Sequence, residues 1–200
     1  MIAACHNAEP AAVNLEYKLS GRIKGIDTGW IYLKHRQHVQ IDSAEIKEGS
    51  FIITGKTETV EFCNIGTGSN GNRNFYFGFF LVPGKMTMVA DKDSLFDAAV
   101  AFDGSPVQNE FKLFQKRMRF IDTLTIESAQ TEKTRKEIIW QYAQAHPDSY
   151  ITAFESYSYL TAKEDLPKLN SIFSRMNPDL QNWYYSKKIE QHLKENKYSK

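Results

Sequence analysis

Apolar residues recur at every second position up to about Phe102 and at every third or fourth position after Gly104. A period of two belongs to a strand with one buried face, and a period near 3.6 to an amphipathic helix. One chain therefore carries two architectures in succession. In the first part Leu15, Tyr17, Leu19 and Ile23 alternate with polar residues, and Gly25 and Gly29 punctuate. Trp30-Ile31-Tyr32-Leu33 is aromatic and β-branched, as a pleated surface favours. Val39, Ile41 and Ser43 alternate again, Gly49 marks a turn, Phe51 and Ile53 lead to Gly55, and Val60 and Phe62 head another strand. Phe75 to Val82 is the most apolar run. Pro83-Gly84 suits the central positions of a type II turn, Met86, Met88 and Ala90 form a returning strand, and a last short strand is expected at Ala99 to Phe102. Short strands at this spacing with Gly-containing turns predict an antiparallel β-sandwich or open barrel over residues 15–104.

At Gly104 the pattern changes. Ser105-Pro106-Val107-Gln108 places a capping Ser, a Pro at the first helical position and a Gln three residues after the cap, which is a helix start. Val107, Phe111, Phe114, Met118 and Ile121 then mark one helical face. A second helix carries Ile138, Ile139 and Tyr142 and ends near His146-Pro147. A third presents Tyr150, Ile151, Phe154, Tyr157 and Leu160, and a fourth Leu169, Ile172, Phe173 and Met176. A fifth starts near Asp179 with Leu180, Trp183, Tyr184, Ile189 and Leu193. The short connections imply antiparallel neighbours. The expected class is α+β: a sandwich domain over 15–104, then a helical domain of about five helices over 105–200.

Charge excludes several function classes. The net charge is +1, with 10 Lys+Arg against 12 Asp+Glu up to Gly104 and 15 against 12 after it. Neither part generates a field that would gather nucleic acid or an anionic membrane surface. No apolar run approaches the ~20 residues of a membrane-spanning helix. The two cysteines, Cys5 and Cys63, lie too far apart in sequence for a Cys-x-x-Cys redox motif or a thiolate zinc site.

The opening Met1-Ile2-Ala3-Ala4-Cys5 matches the end of a bacterial lipoprotein signal. Such a signal has a charged start and an apolar stretch of ~7–15 residues before the cleavage site. Four residues precede Cys5, so this reading places the rest of the signal upstream or removes it by trimming. Cys5 is then the candidate lipidation site, and residues 6–14 the tether. The competing reading is a frayed terminus with an incidental cysteine.

The remaining candidates have bland readings. His35-Arg36-Gln37-His38 is expected as a hairpin loop whose imidazoles do not converge. Asp42, Glu45 and Glu48 are the nearest carboxylates, and no four-ligand zinc spacing is present. Asp42-Ser43 is expected to bond local backbone. Gly66-Thr67-Gly68-Ser69-Asn70-Gly71 lacks the Gly-Lys-Ser/Thr ending of a phosphate loop and precedes aromatic strand, so it reads as a hairpin loop. In the basic run Lys116-Arg117-Met118-Arg119, Lys116 and Arg117 sit off the apolar face and read as a solvated helix face. Phe75, Tyr76, Phe77, Phe79 and Phe80 read as a strand covered on both faces, not as a stacking platform for single-stranded nucleic acid, because no basic residues interleave. Cys63 reads as a small buried hydrophobe. The sequence assigns no catalytic, cofactor-binding or metal-ligating residue.

Four landmarks recur in order in a known family: Tyr17-x-Leu-x-Gly21, Asp42-Ser43-Ala44 with Gly49-Ser50-Phe51 and Gly55, Phe79-Phe80-Leu81-Val82-Pro83-Gly84, and Phe102-Asp103-Gly104-Ser105. The chain resembles the N-terminal domain of unknown function that precedes a thioredoxin-like domain in extracytoplasmic thiol–disulfide oxidoreductases of Gram-negative gut bacteria. His146-Pro147-Asp148-Ser149-Tyr150 resembles the helical connector of those proteins. The resemblance spans roughly residues 15 to 195 and rests on turn and core residues, none of them catalytic. The family's chemistry sits in the Cys-x-x-Cys of its thioredoxin domain, and these 200 residues hold no such motif. The resemblance implies an extracytoplasmic location, in the periplasm or at the outer membrane, and agrees with a lipidated Cys5.

The expected function is a non-catalytic cell-envelope module that binds a protein, peptide or glycan through its loops or a cleft. The first alternative is an accessory subunit that positions a thioredoxin-like partner. The second is a metal-dependent hydrolase, which would require His35, His38 and carboxylates to converge.

Overall fold

The structure is a computed structural model that describes residues 15–37, 40–67, 75–93, 100–122 and 128–197. The expected strand at Ala99 to Phe102 is described from Val100 onward, while Cys5, the tether, His38, Val39 and most of the Gly66–Gly71 stretch lie outside the described residues. The chain divides between Gly104 and Ser105 into two compact units.

The first unit has eight strands: β1 Glu16–Lys24, β2 Thr28–His35, β3 Ile41–Lys47, β4 Ser50–Lys56, β5 Glu61–Thr67, β6 Phe75–Leu81, β7 Gly84–Asp91 and β8 Ala101–Asp103. They form one continuous sheet in the order β6-β5-β2-β3-β4-β1-β7-β8. The two layers anticipated for a sandwich arise from this single sheet by curling. Phe102 on β8 stacks on Phe79 and Phe77 of β6 at centroid distances of 4.8 and 5.6 Å, so the two edge strands of the sheet meet across the core. β6 and β8 remain the edge strands, since no ladder joins them among the described residues. The inside is filled from every strand by Leu19, Ile23, Ile31, Leu33, Ile46, Phe51, Ile53, Ile65, Phe79, Met86 and Met88 among others.

Pairing is antiparallel with one exception: β1 runs parallel to β7, with Tyr17 opposite Gly84 and Lys24 opposite Asp91. Alternation reports which face of a strand is buried, not which way its neighbour runs, and this pair is therefore invisible to it. In the β3–β4 hairpin Glu48 (φ 50°) and Gly49 (φ 76°) are both left-handed, the geometry of a type I′ turn. Gly84 has φ 102°, as the Pro83-Gly84 turn requires.

The second unit contains α1 Pro106–Asp122, α2 Ser128–Ala145, α3 Tyr150–Tyr159, a 3-10 turn at Lys163–Asp165, α4 Leu166–Arg175, α5 Pro178–Gln181 and α6 Tyr184–Lys197. The Ser105 hydroxyl accepts from the Gln108 amide at 3.1 Å, so the sequence-level cap is real. Ser149 caps α3 by accepting from Ile151, and Asn177 caps α5 by accepting from Leu180. The expected fifth helix is broken in two. Trp183 donates to the Leu180 carbonyl, a tight three-residue closure, before α6 resumes. The break turns Tyr185 inward and leaves Tyr184 half-buried, opposite to an uninterrupted helical reading. Phe154, Tyr185, Trp183 and Tyr150 then meet edge-on or tilted in one aromatic row. No described helix is long and apolar enough to cross a membrane.

Candidate functional site

Inward-facing positions continue to the ends of the strands, and at one end of the curled sheet they become polar. Parity with the core residues places Tyr17 (with Leu19), His35 (with Ile31 and Leu33), Asp42 (with Ala44 and Ile46), and Glu61 and Cys63 (with Ile65) on the same inner face. In spatial order, β5, β2, β3 and β1 supply Glu61, His35, Asp42 and Tyr17, with β4 between the last two. β4 contributes Gly55 opposite Tyr17. A Cβ at Gly55 would lie 2.7 Å from the Tyr17 ring. Its absence lets the ring lie across β4 and reach Asp42.

His35 is the centre of the cluster. Its Nδ1 lies 2.7 Å from a Glu61 oxygen and its Nε2 3.1 Å from an Asp42 oxygen. Both ring nitrogens face carboxylates, which accept and do not donate when ionised, so the arrangement favours a proton on each nitrogen, the imidazolium form. The side chains of His35, Glu61 and Asp42 are 1%, 3% and 21% exposed. The Tyr17 hydroxyl and the Gln40 amide donate to Asp42. The Thr57 hydroxyl sits 2.9 Å from the second Glu61 oxygen and 2.7 Å from the Thr59 carbonyl, and its single proton serves one of them at a time. Cys63 Sγ lies 3.8 Å from His35 Nδ1. A buried charge is tolerated when it is paired and hydrogen-bonded, and each charge here has at least two partners.

The electrostatics follow from that arrangement. Burial alone would lower the His35 pKa, but the hydrogen bonds and charges of Glu61 and then Asp42 outweigh it and leave it raised. Burial would raise Asp42, yet the donors Tyr17, Gln40 and His35 hold it below the usual carboxylate range. Burial, then the Asp42 hydrogen bond and charge, push the Tyr17 phenol well up. Burial, then the Glu61 and Asp42 charges, do the same to the Cys63 thiol, and the Arg36 amide opposes them weakly. No group here is a ready nucleophile in this state: the thiol is held protonated and the phenol neutral.

The opposite end of the sheet carries a cleft of about 780 Å³. It is lined by Gly25, Ile26 and Asp27 between β1 and β2, by Thr28, Gly29 and Trp30 at the start of β2, by Ile46 and Thr67, and by Lys92 and Asp93. Trp30 is 54% exposed. The Thr67 hydroxyl is buried without a hydrogen-bond partner among the described residues.

Several expectations change. His35 is not a loop residue but the last residue of β2, paired with Cys63 of β5. Its ring converges with Asp42 and with Glu61, a carboxylate that sequence proximity did not nominate. Asp42 bonds the side chains of Tyr17, His35 and Gln40, not local backbone. Glu45 and Glu48 stay exposed, with Glu45 against Lys47. Cys63 is fully buried, as expected of a small hydrophobe, but it touches the cluster. Lys116 and Arg117 are exposed. Phe77, Phe79, Phe80 and Leu81 are buried from both faces of β6, and Tyr76 is open. The signal for the cluster was present as parity: His35 continues Ile31 and Leu33, and Glu61 continues Cys63 and Ile65.

No curated protein matches the sequence. Residues 17–111, which span the curled sheet and the start of α1, match the family described as Domain of unknown function (DUF4369), and the chain thus carries an N-terminal domain of unknown function.

Proposed function

We propose that the sheet unit is a non-catalytic binding module of the cell envelope and that the Trp30 cleft takes a glycan. The observation that carries this reading is the composition of the cleft. A half-exposed indole stands beside Asp27, Thr28, Lys92, Asp93 and the Thr67 hydroxyl, which has no hydrogen-bond partner among the described residues. A sugar ring presents an apolar face that packs on an aromatic plane and hydroxyls around its rim that exchange hydrogen bonds with short polar side chains. Single exposed aromatics are ordinary on protein surfaces. Here the indole borders a concavity with a buried hydroxyl at its wall. The resting state of the polar cluster at the other end, with its thiol protonated, agrees with a binding role. The lipoprotein-like Cys5 and the family resemblance support an extracytoplasmic location with lipid anchoring.

The test is a glycan array, including bacterial envelope and dietary polysaccharide fragments, probed with the full chain and with Trp30→Ala. The wild type should retain a related set of glycans, and the variant should lose at least tenfold in affinity at an unchanged melting temperature. Retention of no glycan by the wild type would discard this ligand class. Capture of a purified thioredoxin-like protein at micromolar affinity, undisturbed by Trp30→Ala, would instead support the accessory-subunit reading.

A further inference from the structure

The polar cluster at the other end of the sheet holds three metal-ligating atoms of different kinds. His35 Nδ1, a Glu61 carboxylate oxygen and Cys63 Sγ all lie within 4.8 Å of one another, and all three residues are buried. We propose that these three atoms form a binding site for one zinc-class divalent cation, with Asp42 and Thr57 as its orienting partners.

The spacing is close to what a tetrahedral ion needs. With a metal–sulfur bond near 2.3 Å and metal–nitrogen and metal–oxygen bonds near 2.0–2.1 Å, a tetrahedral ion sets N···S at about 3.5 Å and N···O at about 3.3 Å. The protein already holds Sγ at 3.8 Å and the Glu61 oxygen at 2.7 Å from Nδ1. N···S closes by a few tenths of an ångström, N···O opens as the ion replaces the proton between them, and the third pair, the Glu61 oxygen and Sγ, lies within 4.8 Å and draws in toward about 3.5 Å.

The surroundings are those of a ligand set. Metal-binding histidines commonly donate their second nitrogen to a carboxylate, which fixes the ring and raises its basicity. His35 Nε2 faces Asp42, and Asp42 is itself held by Tyr17 and Gln40. The Glu61 oxygen that does not face His35 lies beside the Thr57 hydroxyl. The histidine and the carboxylate thus each have an orienting partner.

Charge also permits the exchange. Without a metal the cluster holds the imidazolium, the Glu61 and Asp42 carboxylates and a neutral thiol, a net of about −1 by formal charge. A divalent ion binding neutral imidazole, carboxylate and thiolate, with Asp42 still ionised, leaves the same net charge. Two protons go to solvent, one from Nδ1 and one from Sγ. The buried site gains no uncompensated charge, which is the main barrier to placing an ion in a protein interior. Three protein ligands leave the fourth position to water.

The experiment refolds the full chain from denaturant at pH 8 with cobalt(II) and, separately, with zinc, so that slow entry into a folded interior cannot hide binding. The wild type should take up one equivalent of either ion by equilibrium dialysis. With cobalt it should show the near-ultraviolet thiolate-to-metal charge-transfer band, and with zinc a melting temperature raised by about 5 °C or more. Cys63→Ser should lose the band, and Glu61→Gln should weaken uptake at least tenfold. Glu45→Gln, on an exposed strand position, should match the wild type. Failure of the wild type to bind overturns the proposal, as does cobalt uptake without the sulfur band, or a band that survives in Cys63→Ser. If a variant does not refold, the wild-type stoichiometry and band still decide.

Discussion

The two units bury acidic groups in opposite ways. In the sheet unit Glu61 is almost wholly enclosed, yet it meets the His35 ring on one oxygen and the Thr57 hydroxyl on the other. In the helical unit Glu155 on α3 is only 6% exposed. Burial raises its pKa to about 7, with the Arg135 charge on α2 pulling the other way. The first carboxylate remains an ion because its surroundings replace water. The second stays inside by holding its proton up to about pH 7. A sheet curled on itself brings side chains from several strands to one point. A helix face offers a carboxylate only what neighbouring helices happen to present.

The largest effect should come from breaking the sheet unit's pairing. His35→Ala leaves Glu61 and Asp42 facing each other across a void, and removing one partner of a buried ion pair typically costs about 3–5 kcal/mol. Equilibrium denaturation of the metal-free protein should show that loss. A cost under about 1 kcal/mol would mean that the cluster is hydrated and not enclosed.

Glu155 sharpens the contrast because its removal should help. Its carboxyl has a pKa of about 7 in the folded chain against an ordinary value of 4.5, so it ionises first in the unfolded state. Its contribution is neutral below about pH 4 and becomes a destabilisation that grows as pH rises toward 7, then levels off. The size is on the order of 3 kcal/mol at 1.36 kcal/mol per pH unit. Glu155→Gln should therefore stabilise the chain by roughly 2–3 kcal/mol at pH 8 and change little at pH 4, as thermal melts at the two pH values would reveal. Equal effects at both would show that packing, not ionisation, sets the difference.

Tyr17→Phe tests a single hydrogen bond of the cluster. The phenol donates to the Asp42 carboxylate, and loss of a bond to a charged group should cost about 1.5–3 kcal/mol. The hydroxyl of Tyr142 on α2 likewise donates to Glu110 of α1. Tyr142→Phe is the matched control in the helical unit, and a larger loss there than for Tyr17→Phe would reverse the contrast. The smallest effect belongs to Ser105→Ala, which removes the cap of α1 and should cost about 1 kcal/mol in urea denaturation.

Much of this molecule is legible in its residues alone. The change of period at Gly104, the cap at Ser105, the turns at Gly49 and Pro83-Gly84 and the aromatic strand Phe75–Leu81 all follow from local rules that act within a few residues. The fifth helix escapes that reading because a break at Asn182 and Trp183 changes the phase of the apolar face, and Tyr184 and Tyr185 are both aromatic. The cluster escapes it for a different reason. His35 and Asp42 are seven positions apart, and Glu61 and Tyr17 are farther still. Their meeting depends on strand order, which hydrophobic alternation does not encode.

By itself the sequence determined most strands and helices and, apart from the broken fifth helix and the end of β2, which face of each is buried, because backbone sterics, capping and apolar spacing are short-range. Only the tertiary structure decided that β1 pairs with β7, that the sheet curls until β6 and β8 meet, and that inward positions from separate strands gather around one imidazole. Those outcomes come from packing a single twisted sheet around a common core, a long-range process in which neighbours in space need not be neighbours in the chain.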